Sequence, residues 1–570
     1  MLIVSGIPVS SGVAIGKAYI LAHALNEVEP YLISEQNILN EIKRFNQAIK
    51  QLKSELLNLK KELKKNRMNE FGSFIDIQLA IINDPKISKN PLGIIKKSKQ
   101  NAEWALKVQM EEIITKFNSI ENSYIRERKN DVYQVCETLI KYLIGHESKQ
   151  LSNDKNRIIV AHDISPADAL KFKNSNNIAF VTDIGGTTSH TAILAKSINI
   201  PSVVGTQNAK NLISNGDNLI VDGDHGCVII NPTDEVINEY RLKQNLYELE
   251  SKKLLNLQKL TSKTIDKVPV NLYVNIEDTN NIESVILNNT KGVGLFRTEF
   301  IFMDKHRMLD ENEQFIIYKN LTKALPNKTI TIRTLDSGGD KVIEHMPNTN
   351  QNPALGLRAI RFCLAEPDVF ITQIKALLRA AHYGDIRILI PMLSSDNELR
   401  QVKLLIQRAK DILTSERKKF NPKTLVGGMI EVPAAAIDAE SFANQLDFLS
   451  IGTNDLIQYT LAVDRTDDAV SHLYDSSHPA LLKLIKGVID AGTKAGIEVS
   501  LCGEMAGDPK LTKLLIGLGL TNFSMHPSSL LKVKKVILES EFSKVKSKAK
   551  KILSTHDKIE IENLINNLNN

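Results

Sequence analysis

Cysteine is scarce in this chain: its 570 residues contain four, Cys136, Cys227, Cys363 and Cys502. They lie far apart with no CxxC spacing, which speaks against a structural zinc site or a disulfide framework and sets a reduced compartment as the default. Long apolar runs are missing too; none approaches the roughly 20 residues needed to span a bilayer. The apolar start Leu2-Ile3-Val4 follows no cationic segment, and Gly6, Pro8, Gly12, Gly16 and Lys17 interrupt what comes next, so a signal peptide is not expected. Charge of one sign is also lacking. Seventy-two Lys+Arg against 66 Asp+Glu leave +6 over the whole length, where a nucleic-acid binder concentrates its excess on one face. These absences predict a soluble, cytoplasmic protein with no nucleic-acid partner and no membrane insertion. At roughly 100–200 residues per domain, the length calls for several domains.

What is present falls into three textures. Residues 1–22 read as short strands. From about 34 to 146 the pattern is helical: Ile38, Leu39, Ile42, Phe45, Ile49, Leu52, Leu56, Leu59 and Leu63 recur at three- and four-residue steps with Glu and Lys between. Further helical stretches over 69–83, 101–117 and 123–144, broken near Asp84-Pro85 and Asn90-Pro91, predict a four-segment bundle. Strands return over 157–230 around one helical stretch, Thr191–Ile198, so the bundle reads as an insertion into a small β/α domain. Residues 233–262 form a polar connecting helix. The remaining 300 or so residues alternate strand and helix, with strands at 269–275, 292–298, 329–335, 385–392, 425–431, 447–453, 497–502 and 522–525. Eight such repeats predict a (β/α)8 barrel. The fold class is therefore multidomain α/β. A β/α domain spans 1–32 and 147–232, an inserted bundle 33–146, a linker 233–262 and the barrel 263–570.

Function in such a barrel gathers where the strands end. Those ends carry Asn275, Arg297 with Glu299, Arg333, Glu431, Asn454 with Asp455, and Cys502 with Glu504. Charged groups just after apolar strands are costly to bury unless paired or bound. Glu431 and Asp455 offer hard oxygen ligands for Mg²⁺ or Mn²⁺, while Arg297, Arg333 and Arg465 offer planar forks for phosphate and carboxylate. Together they suit a small phosphorylated, carboxylated anion; an internal ion-pair network uses the same residues with no substrate. Cys502 reads either as a small buried hydrophobe or as a thiol placed to protonate a carbanion or enolate. In the other domain, Asp183-Ile184-Gly185-Gly186-Thr187-Thr188-Ser189-His190-Thr191 leads from a strand through a Gly- and hydroxyl-rich turn into a helix. A helix start favours an anion and a neutral imidazole is a competent nucleophile near pH 7. A hydrogen-bonded structural histidine or a simple Gly-rich turn is the bland alternative.

These stretches resemble those of the phosphoenolpyruvate-utilising enzymes. Gly185-Gly186-x-Thr188-Ser189-His190-Thr191 is similar to their phosphohistidine signature and Asp447–Tyr459 to their barrel signature. Gly6–Gly12, Gly294–Phe300, Arg333–Lys341 and Asn352–Arg358 agree with the Enzyme I family within that group, over essentially the whole chain. The resemblance implies a swivelling phosphohistidine domain and a two-step reaction. Phosphoenolpyruvate binds the barrel with Mg²⁺, His190 takes its phosphoryl group, and a histidine of the small carrier protein HPr then receives it. Glu431 and Asp455 would hold the metal; Arg297, Arg333, Asn454 and Arg465 would hold substrate. Cys502 would protonate the enolate to pyruvate. HPr would dock on the inserted bundle, the barrel would mediate a homodimer, and the reaction would open bacterial sugar uptake.

Three positions depart from the family pattern: Thr187 where relatives carry Arg, Asp467 where they carry Asn, and Ala169 where many have Thr. None removes a reacting group, so altered rates are expected rather than lost activity. A phosphoenolpyruvate synthase or dikinase shares both signatures but needs a large ATP-binding domain before the phosphohistidine, and no Gly-rich nucleotide loop precedes His190. A non-catalytic regulator that senses phosphoenolpyruvate and binds HPr is the alternative from another class. The joint presence of His190, Glu431, Asp455 and Cys502 argues against it.

Overall fold

The computed structural model describes residues 1–21, 28–65, 72–118, 129–145, 156–164, 177–185, 192, 195, 200–277, 282–305, 308–336, 353–464 and 470–569. The chain divides into two compact units, Met1–Ser251 and Lys252–Asn570.

In the first unit, strands β1 (Leu2–Ser5), β2 (Ile7–Ser10), β3 (Val13–Ile20), β4 (Arg157–Ala161), β5 (Asn177–Thr182), β6 (Ser202–Val204), β7 (Asn218–Asp222) and β8 (Cys227–Ile230) form one sheet in the order β1-β8-β7-β3-β4-β5-β6-β2. Strands β3 and β4 lie side by side and parallel, with Lys17 opposite Arg157. The intervening helical excursion therefore leaves and re-enters the sheet at neighbouring strands. Alternate residues serve the two faces, as the period of two requires. Ile159 and Phe180 join the apolar core of the helical region with Phe45 and Leu52, while Ile158, Val160, Ala179 and Val181 pack on Leu219 and Val221 opposite. Coverage on both faces explains why β4 is buried at every position.

The expected breaks at Asp84-Pro85 and Asn90-Pro91 are helix starts. Asp84 accepts the Lys86 N–H at 2.8 Å and Pro85 occupies the first turn, where its missing N–H costs nothing. Among the described residues, the region therefore holds six helices instead of four: Ile38–Lys65, Gly72–Asn83, Pro85–Ser88, Asn90–Ser98, Ala102–Asn118 and Lys129–Ile144. Leu39, counted in the apolar stripe, is 69% exposed, whereas Leu52 is 3% exposed. Ile38 beside it packs against the core, and Leu39, turned about 100° away on the helix, faces outward. The predicted helix at 191–198 lies outside the described residues except for Ala192 and Ala195, both helical and buried. Helix Asp234–Asn256 lies against the β7–β8 turn: Lys243 Nζ donates to buried Asp222 at 2.6 Å and the Tyr247 hydroxyl to Asp224.

The second unit is a closed parallel barrel of β9 (Asn271–Ile276), β10 (Gly292–Arg297), β11 (Thr329–Arg333), β12 (Ile386–Ile390), β13 (Val426–Ile430), β14 (Phe448–Ile451), β15 (Glu498–Leu501) and β16 (Asn522–Met525) in sequence order. All eight predicted strands are present, with ends shifted by a few residues. Strand parity sorts their side chains. Ile332, Ile388, Ile430, Ile451 and Leu501 pack outward in the large core beneath the helices. Leu295, Leu389, Met429, Phe448 and Cys502 form a separate interior cluster. Residues two positions further along an inward row emerge at the open end, which is how Arg297, Arg333 and Glu431 reach one mouth. Among the described residues, no helix is long and apolar enough to cross a membrane.

Leu52→Ala should destabilise the first unit by about 2–5 kcal/mol, while Leu39→Ala should stay within about 0.5 kcal/mol. Thermal unfolding of the full chain, followed by calorimetry, checks both; equal losses would contradict the observed helix orientation.

Candidate active site at the C-terminal end of the barrel

Arg333 ends β11 and is 7% exposed. Its guanidinium pairs with Glu299, which is fully buried, and with Asp336 at 3.0 Å. Burial works against its charge, but Glu299, Asp336, Glu431 and Asp455 outweigh that and hold it above its ordinary value. Arg333 Nε is buried without a hydrogen-bond partner. Arg358, at the N-cap of helix Ala359–Ala365, grips Asp336 through Nη2 at 2.9 and 3.1 Å and lies 3.7 Å from Asp455. Its Nη1 also donates to the Tyr459 hydroxyl at 3.3 Å.

Glu431 directly follows β13 and is 1% exposed. Its Oε1 accepts the Met392 N–H at 2.7 Å. Met392 holds a left-handed backbone (φ 57°), strain on the order of 1–3 kcal/mol that tends to persist at functional sites. Burial, then Asp455 and Asp336, push the Glu431 carboxyl up, against the opposing pull of Arg333 and Arg358. Asp455 and Asn454 sit in the first turn of helix Thr453–Leu461 after β14. Asn454 and Glu504 bond reciprocally: the Glu504 N–H donates to Asn454 Oδ1 at 2.9 Å and Asn454 Nδ2 donates to Glu504 Oε1 at 3.0 Å.

Two glycines allow these loops to meet. A Cβ on Gly452 would lie 2.8 Å from Glu431 Oε2, and one on Gly503 would lie 1.8 Å from Thr453 Oγ1. The Cys502-Gly503-Glu504 turn is thereby pressed against the loop bearing Asn454 and Asp455. Cys502 is 3% exposed. Asn275 Nδ2 donates to its carbonyl at 2.8 Å, and Ser450 Oγ donates to its Sγ at 3.3 Å. Burial pushes the thiol up; Ser450 pulls the other way. A protonated sulfur is the form a proton donor needs.

A divalent cation fits the donor set. Two crowded carboxyls, one of them fully buried and pushed toward protonation, gain when a cation sits between them. Among the described residues, no group of three or more His, Cys, Asp or Glu side chains is set to enclose an ion. A Mg²⁺-type ion takes one or two carboxylates and completes its shell with substrate oxygens and water.

The structure thus brings Arg333, Glu431 and Asp455 together and places Cys502 on an adjoining strand end. Arg297 ends β10 at the same mouth and pairs with Glu277 at 2.6 Å. His190 and Arg465 lie outside the described residues. Asp336 and Arg358 were missed as site residues, although both stand in segments already noted. An Asp three residues beyond a strand-end Arg was the available signal for the first. Nothing local marks Arg358, which arrives from 25 residues further along the chain.

Three family models match, each describing a part of a PEP-utilising enzyme. The "PEP-utilising enzyme, PEP-binding domain" model covers residues 251–542, the "N-terminal" model 5–128 and the "mobile domain" model 153–226. The chain belongs to the phosphoenolpyruvate-utilising enzyme family. Curated relatives named phosphoenolpyruvate-protein phosphotransferase occur in Cupriavidus necator, 44% identical over 97% of both chains, and in Listeria monocytogenes, 40% identical over 98% of both. One from Staphylococcus aureus is 38% identical over 99% of both.

Gly452→Ala should weaken Mn²⁺ binding at least about tenfold by displacing the Glu431 carboxylate, consistent with the cost of a Cβ held under 3 Å. Electron paramagnetic titration of the folded variant measures this without turnover. Undiminished binding would remove Glu431 from the metal site.

Proposed function

We propose that this protein is a phosphoenolpyruvate-protein phosphotransferase. It moves the phosphoryl group of phosphoenolpyruvate to His190 and then to a histidine of HPr, releasing pyruvate as the first step of bacterial sugar uptake. The observation that carries this reading is the convergence of Arg333, Arg358, Glu431 and Asp455 at one barrel mouth, in a chain whose full-length relatives bear that name.

Each group has a task. Arg297 and Arg333 can turn guanidinium edges to the phosphate and carboxylate of the substrate, joined by Arg465 and the Asn454 amide. Arg358 keeps Asp336 and Asp455 in place. Glu431 and Asp455 would hold Mg²⁺, which would supply neutralising charge as the enolate leaves. The phosphorus–oxygen bond of phosphoenolpyruvate breaks as a His190 ring nitrogen bonds phosphorus, and the electron pair stays on the enolate oxygen. Cys502 gives its Sγ proton to the enolate carbon, forming pyruvate. Because burial raises the thiol, this donor stays loaded through neutral pH.

The helical excursion over 33–146 would dock HPr, and residues 233–262 would link the β/α domain of 1–32 and 147–232 to the barrel. A cytoplasmic location and a homodimer formed through the barrel complete the reading.

Incubation with labelled phosphoenolpyruvate, Mg²⁺ and HPr should give acid-labile, base-stable label on His190, with pyruvate release; His190→Ala should abolish the label. Unlabelled wild-type protein would overturn the enzyme assignment. Cys502→Ser should slow turnover by about 10²-fold or more, the range expected for a lost general acid, with the KM for phosphoenolpyruvate nearly unchanged. Wild-type turnover in that variant would dismiss the proton-donor role.

A further inference from the structure

Ser450, like Ser524, places a fully buried hydroxyl in the barrel interior. Ser450 lies on β14, two residues after Phe448 and on the same face. That face belongs to the apolar interior cluster of Leu295, Leu389, Met429, Phe448 and Cys502. A hydroxyl in such surroundings costs free energy unless a good partner repays its desolvation. Its partner is Cys502 Sγ, to which Ser450 Oγ donates at 3.3 Å. A neutral thiol is only a weak acceptor, so the resting bond recovers little and alanine would fill the space more cheaply. A thiolate is different: the same O–H then makes a charge-assisted bond, roughly twice as strong.

We propose that Ser450 is a positioning residue for proton delivery, holding the Cys502 sulfur in place and stabilising the thiolate left after its proton reaches the enolate. This rests on the reaction proposed above. Cys502 Sγ gives its proton to the enolate carbon, the enolate oxygen becomes the pyruvate carbonyl, and the S–H electron pair stays on sulfur. Ser450 keeps its own proton throughout and donates it only as a hydrogen bond; water then reprotonates the thiolate. The interaction is stronger after transfer than before, which is the condition for an interaction to accelerate a step. The rest of Cys502 is also fixed. Asn275 holds its carbonyl at 2.8 Å, and Ser524 in turn donates to Asn275. The sulfur faces opposing influences. Burial and Glu431 disfavour the thiolate, while Ser450, Arg333 and Arg297 favour it.

The test begins without substrate. The pH dependence of Cys502 alkylation by iodoacetamide, mapped by mass spectrometry in the full chain, should shift upward by about one pH unit in Ser450→Ala, as loss of a charge-assisted bond predicts. Ser450→Cys, which keeps the volume but offers a weak donor, should shift likewise, whereas Ser450→Thr should retain the wild-type profile. An unshifted profile in the alanine and cysteine variants overturns the proposal. With phosphoenolpyruvate, Mg²⁺ and HPr, Ser450→Ala should lower kcat about tenfold, in step with that shift, and leave KM within about twofold; Ser450→Thr should restore kcat. Wild-type kcat in Ser450→Ala would confine the hydroxyl to packing. Should wild-type protein fail to label His190, the reaction falls, while the alkylation profile still decides whether Ser450 stabilises the thiolate.

Discussion

A guanidinium with almost no access to water sets the terms for the barrel mouth. Arg333 stays charged because Glu299 and Asp336 surround it, and losing either breaks a buried ion pair, a cost of several kcal/mol. Asp336 then binds Arg358, and Arg358 reaches Asp455. In this network two guanidiniums, Arg333 and Arg358, face four carboxyls: Glu299, Asp336, Glu431 and Asp455. Burial first, then Asp455 and Asp336 within this surplus of carboxyls, push the Glu431 carboxyl up, and a dication would offset that surplus.

The same mouth depends on close approach. Gly452 lets the Glu431 carboxylate lie against the β14 loop, and Gly503 lets the Cys502 turn press on Thr453. The groups assigned to metal and to proton transfer therefore share a wall, and neither loop can shift alone. The Asn454–Glu504 pair closes that wall from outside.

Strand positions and chain order were legible early. Regular strand–helix alternation located all eight barrel strands, and short apolar runs the strands of the first unit, because both signals are local in sequence. The strand-end polar residues were legible for the same reason: Arg297, Arg333, Glu431 and Cys502 each follow an apolar run. Helix periodicity was less informative. Leu39 was counted in the apolar stripe but faces solvent, because the adjacent Ile38 takes the core side of that turn. The Asp84-Pro85 and Asn90-Pro91 breaks proved to be restarts, because the same residues that stop one helix cap the next.

By itself, the sequence determined the alternation of elements, the barrel and the residue types at its open end, all of which follow from short-range patterning. Tertiary structure alone decided which charges meet. Arg358 reaches Asp336 and Asp455, Met392 donates to Glu431, and Ser450 finds Cys502 from 52 residues away. These are contacts between strand ends and loops far apart in the chain, brought together by barrel closure, and no local period encodes them. Their strength also depends on burial, which lowers the dielectric around each pair and turns modest surface attractions into the constraints that shape the site.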